Sequence, residues 1–234
     1  MKGEIRYKST AGLRQLLHPF AWLAGSLLLL AGCALPRPPG HVLTAPYTPQ
    51  NVFGSGAALP PNVRRVGMLP LYCDPAAPEV VAGRDALEPI LRDELQKTHR
   101  FEITAITSEV LQVKTGKRAW TCEDALPRDL FSWLNETKGC DAVLFCTLTV
   151  FHGYAPLAVG WKMRLVDTRT RATIWAGDEI FDANRPGVQA GARHYQLGQW
   201  AGCGPRPDEW VMENCPRQFG QYAAARLLAT LPEW

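Results

Sequence analysis

A thiol and an imidazole on one strand could make a nucleophile and its base, and Cys146 and His152 lie on one apolar segment. They read as sharing a face, but at about 3.3 Å of rise per residue they stand about 20 Å apart. That is too far for proton transfer between them. His99 and His194 approach a cysteine only through tertiary folding. The carboxylates Asp178, Glu179 and Asp182 are a second candidate set, and alternation puts Asp178 and Asp182 on one face. Two carboxylates on one face could serve as a pair, but a solvated strand face is the reading that the pattern favours. Cys140, Cys146 and His152 lack zinc-ligand spacing, and no Cys-x-x-Cys, phosphate loop or nucleophile elbow is present. The chain reads as non-enzymatic, with no metal and no cofactor.

One cysteine has a different chemistry. Leu27-Leu28-Leu29-Leu30-Ala31-Gly32-Cys33 closes an apolar segment, Phe20 to Gly32, behind Lys2, Arg6, Lys8 and Arg14. The segment suits a signal-peptide core and falls short of the roughly 20 residues that span a bilayer. The run resembles the lipobox of bacterial lipoproteins, which implies cleavage before Cys33 and acylation of that residue. Residues 1–32 then read as signal peptide, and the lipid bilayer becomes a partner through acylated Cys33. Ala34 stands where Asp would signal inner-membrane retention, so the resemblance implies the outer membrane, with the domain facing the periplasm or the cell surface.

The signal carries four basic residues and one acidic residue; without it the chain's 25 basic and 22 acidic residues fall to 21 of each. A neutral domain has no electrostatic footprint for nucleic acid. Setting Cys33 aside, the remaining cysteines are Cys73, Cys122, Cys140, Cys146, Cys203 and Cys215. An even number in an oxidising compartment favours disulfides. Cys203 and Cys215 bracket a Pro/Gly loop and form the first expected pair; Cys73 and Cys122, both in polar contexts, form the second. Cys146, inside Leu144-Phe145-Cys146-Thr147-Leu148, reads as a buried thiol acting as a small hydrophobe.

Residues 33–62, with Pro36, Pro38, Pro39, Pro46, Pro49, Pro60 and Pro61, read as an extended spacer unable to form helix or sheet. Residues 63–234 read as the folded domain. Strands are expected at Val63–Tyr72, Phe101–Ile106 and Asp141–Phe151, the last buried on both faces. Leu157–Asp167 and Thr173–Phe181 form a long hairpin around Thr168-Arg169-Thr170-Arg171. Helical spacing predicts Asp85–His99, with Pro89 near its first turn, then Thr107–Val113, Pro127–Lys138, Val188–Trp200 and Pro216–Leu231. The order predicts an α/β domain: one mixed sheet of about five strands, a long antiparallel hairpin, and three to four packed helices.

Arg65-Val66-Gly67-Met68-Leu69-Pro70, Arg100-Phe101-Glu102-Ile103, Gly139-Cys140-Asp141-Ala142-Val143-Leu144 and the Leu165-Val166-Asp167 to Ile174-Trp175 hairpin share a pattern. It resembles a periplasmic family grouping the curli-secretion lipoprotein, the lipoprotein activator of penicillin-binding proteins and the amino-terminal domain of TolB. The family's hairpin has Gly where this chain has Arg171. The likeness covers residues 63–183 and carries no catalytic residue; no segment matches the pore-forming hairpins of the curli channel. It implies a lipid-anchored envelope protein that binds another envelope protein as an assembly or activation factor. Among the aromatics Tyr154, Trp161, Trp175, Trp200 and Trp210, the loop residues Tyr154 and Trp210 are the candidate partner contacts. A small-ligand-binding lipoprotein is the alternative reading, and a hydrolase the third.

Overall fold

The computed structural model describes residues 45, 47–199 and 214–234. The chain divides into Met1–Val42 and Leu43–Trp234, and every described residue belongs to the second unit. The strands are β1 (Val52–Gly54), β2 (Arg65–Met68), β3 (Tyr72–Cys73), β4 (Glu102–Ala105), β5 (Ala142–His152), β6 (Ala158–Asp167) and β7 (Thr173–Asp182). The helices are α1 (Pro78–Lys97), α2 (Ser108–Thr115), α3 (Leu130–Lys138), α4 (Pro186–Gln199) and α5 (Pro216–Leu228). One mixed sheet runs β1-β7-β6-β5-β2-β4, with β3 also paired to β5. No helix among the described residues is long and apolar enough to cross a membrane.

The α/β expectation holds, with more strands than the expected five and more helices than the expected three to four among the described residues. β2 lies parallel to β4 and β5, while β5, β6 and β7 form an antiparallel meander. β5 alternates between two cores, as period-2 side chains must when both faces are covered. Ala142, Leu144, Cys146 and Leu148 enter the core beneath α1 and α5; Val143 and Phe145 enter the one beneath α2 and α3. The helices thus form a layer on each face.

Local chemistry sets several boundaries. Thr107 caps α2, its side chain accepting from Val110 N, and Gly116 closes the helix at φ 80°. Gly139 closes α3 at φ 66° in the same left-handed way. Arg171 holds φ 61° in the β6–β7 turn, a left-handed conformation that favours glycine.

Three expectations need correction. Residues 33–62 do not stay clear of the sheet: Val52–Gly54 pairs antiparallel with β7, and Leu59 is buried. The first strand divides into β2 and β3. Helix α1 begins at Pro78, seven residues before the expected start, which leaves Pro89 in the helix interior rather than its first turn. The ring removes the N–H that would bond the Asp85 carbonyl, and both residues are on the exposed side, where water can serve.

Candidate functional site

The β5–β6 tip carries the candidate site. The strands run out to His152 and Ala158, and the reversal between them exposes Tyr154 at 91% of its surface, beside a cis Ala155–Pro156 bond. An apolar groove of about 890 Å³ opens under this tip. Pro78, Glu79, Ala82 and Ala86 of α1 form one wall, Phe151 to Pro156 of the tip another, and Pro216 and Arg217 of α5 a third.

Two features hold Phe151 in place. The β5–β6 register shifts between Leu148 and Val150, so Thr149 is a bulge residue and the alternation reverses beyond it. Phe151 therefore packs on the core that also holds Cys146. Its ring lies against α1 at Gly83, where an added Cβ would sit 2.4 Å from the ring. The expected shared face of Cys146 and His152 is overturned by the same bulge: His152 is exposed at the tip, and Cys146 is sealed in the core.

The other candidates are dispersed. Cys73 and Cys122 are both free; Cys73 belongs to the core under α1 and Cys122 packs on the core under α2 and α3, so the sheet separates the expected second pair. Burial pushes the Cys73, Cys122 and Cys140 thiols up, and pushes Cys146 up furthest, away from the nucleophilic thiolate. Asp178 faces Lys162 at 3.9 Å, and Asp182 accepts from Asn184 N at 2.8 Å. They do not converge as a carboxylate pair. Glu179, on the opposite face, accepts from Tyr47 Oη at 2.6 Å and Gln50 N at 2.9 Å. Burial works to raise its pKa, but these hydrogen bonds outweigh it and hold the carboxyl below its usual range.

Trp161 and Trp175 are fully buried core residues, not contact surface. Cys33, Trp200, Cys203 and Trp210 lie outside the described residues. Cys215 precedes α5 beside the groove wall, but the pair expected with Cys203 lies outside them too. A smaller depression of about 300 Å³ over β6 and β7, lined by Cys122, Lys162, Arg164 and Asp178 among others, is polar. Among the described residues no cluster of His, Cys, Asp and Glu has metal-binding geometry. Sequence reasoning singled out Tyr154 but missed Phe151, Gly83 and Arg217; Gly83 lay before the expected helix start at Asp85 and so gave no signal.

No protein-family model matches the chain, and no curated protein matches it. Solved structures similar to it include the PelC dodecamer from Paraburkholderia phytofirmans, at 11% identity and a TM-score of 0.44 over 78% of this chain and 96% of that one. Lipoprotein GNA1162 from Neisseria meningitidis is 19% identical, with a TM-score of 0.39 over 60% of this chain and 99% of that one. The LpoB C-terminal domain from Salmonella enterica is 17% identical, with a TM-score of 0.34 over 54% of this chain and 86% of that one.

Proposed function

We propose that this chain is a lipid-anchored, non-enzymatic envelope lipoprotein whose domain binds an envelope protein, as an assembly or activation factor, through the groove under Tyr154. The anchor is supported by the lipobox ending in Cys33. The binding role is carried by one observation: a large aromatic at 91% exposure stands over an apolar groove of about 890 Å³. Exposed apolar concavities of this kind mark interaction sites, and aromatics are their usual anchors. The test is a photo-crosslinking residue at position 154 in intact cells, with and without Cys33→Ser. One envelope protein should crosslink to the anchored form, and Cys33→Ser should leave the membrane fraction. A Cys33→Ser protein that stays membrane-bound refutes the anchor; the absence of any specific adduct refutes the groove as a protein site. The groove volume also falls within the range of small-ligand pockets, which favours a ligand-binding lipoprotein as the second reading. Native mass spectrometry of the protein taken from membranes would show a retained small molecule.

A further inference from the structure

The sheet has an opening in its interior, not only at its two ends. β5 is paired to β6 as far as His152, but on its other side β2 ends opposite Leu144 and β3 opposite Leu148. Among the described residues, no strand lies beside Thr149 to His152 on that side. The margin consists of two β-branched residues, an aromatic and a histidine. It carries neither Lys nor Pro, the residues that normally blunt an open strand edge. The true end strands are instead short: β1 has three residues and β4 four.

Two depressions meet along this margin. The groove under Tyr154 shares Pro78, Glu79, Phe151 and His152 with a second hollow of about 300 Å³ beside Thr149 and Val150. Unpaired strand backbone needs hydrogen-bond partners, and adjacent apolar hollows need side chains; an extended segment supplies both at once. A helix satisfies its own backbone and leaves the margin unpaired. Glu79 is exposed, borders both hollows and has no ion-pair partner among the described residues, so a basic residue complements it.

We infer that the Thr149–His152 margin of β5 receives an extended segment of a partner protein as an added strand, an apolar side chain entering the groove beside Phe151 and a Lys or Arg meeting Glu79. The inference rests on the groove being a protein-binding site and adds how the partner is held. The test uses the full-length acylated protein in detergent micelles and a displayed library of short random peptides. Enriched peptides should combine alternating apolar residues with a basic one. N-methylation at alternate positions should weaken binding about tenfold or more while the intervening positions tolerate it, because only every second amide of a strand faces the edge. Amide exchange at Thr149–His152 should slow on binding, and Glu79→Lys should select against basic peptides. No enrichment, uniform tolerance of N-methylation, or unchanged exchange overturns strand addition. Protection at Thr149–His152 that rises with protein concentration, without peptide, overturns it in favour of a second copy as the occupant. A Tyr154 crosslink in cells with no strand signature would sink only the binding mode; loss of both would sink the site itself.

Discussion

Gly83→Ala tests how the groove is built, because helix propensity and packing predict opposite signs. Gly83 is buried inside α1, and its backbone lies outside the left-handed region, so Ala is conformationally acceptable. Propensity alone would make the change stabilising by about 1 kcal/mol. The new Cβ, however, would lie 2.4 Å from Cγ of Phe151 and 2.7 Å from both Cδ atoms. The ring cannot yield at a flexible end, since three of its atoms are hit at its attached edge. Overpacking of this kind costs about 1–3 kcal/mol, so the net expectation is a loss of about 1 kcal/mol. In a Phe151→Ala background the obstacle is gone and the same substitution should gain about 1 kcal/mol. The double-mutant cycle should therefore show coupling of about 2 kcal/mol by urea denaturation at constant slope. A Gly83→Ala protein more stable than the wild type, with no coupling to Phe151, would refute the close seating of the strand end on α1.

Asp167 should contribute an acid-sensitive part of the stability. Burial works to raise its pKa, but amides of Thr170 and Arg169, each at 2.8 Å, prevail and depress it. A carboxylate depressed in the folded state contributes stability above its unfolded value of about 3.9 that is lost as pH falls through the folded pKa. The stability gap between wild type and Asp167→Asn, followed by urea midpoints from neutral to pH 3, should narrow towards acid; a constant gap would contradict this. His99, exposed and at φ 51° just beyond the end of α1, should give a gain of about 0.5–1 kcal/mol in thermal or urea unfolding when replaced by Gly. Cys146 should resist thiol reagents in the native protein and react only on unfolding, whereas half-buried Cys122 labels in the folded state; equal labelling rates would show that β5 opens. Tyr154→Ala should leave the urea midpoint unchanged and yet abolish peptide or partner binding.

The fold was legible where local signals are strong. Leu144 to Leu148 announced a strand covered on both faces, Gly116 and Gly139 announced helix ends, and the alternation of Val159, Trp161, Met163 and Leu165 announced a hairpin strand. β1 was not legible. Its three residues sit in a Pro- and Gly-rich stretch, and they form a strand because β7 offers an edge: Asp178 N donates to Asn51 O and Ser55 N to Ile174 O. The early start of α1 was hidden by Gly83, which interrupts the apolar periodicity for a packing reason that only the partner ring reveals. Tyr154 could be picked out because turn chemistry and an isolated aromatic coincide in one tetrapeptide. The groove could not, since its walls come from residues 78–86, 151–156 and 216–217.

Two glycines and a bulge account for the site together. At Gly160 a Cβ would meet Thr149 Oγ1 at 2.4 Å and Val150 N at 3.0 Å, so the bulge in β5 requires glycine opposite it. The bulge reverses the alternation, which turns Phe151 towards α1 and His152 out to solvent. Gly83 then lets α1 close on the Phe151 ring, and the first turns of α1 stand beside the strand end where β3 has already stopped. Without the bulge, alternation would carry Val150 and His152 to the α1 side and leave Phe151 on the opposite face. The apolar floor therefore rests on the bulge, while the unpaired margin begins where β3 stops. A substitution such as Gly160→Ala, which forces the bulge to rearrange, should remove peptide binding and the Gly83–Phe151 coupling together.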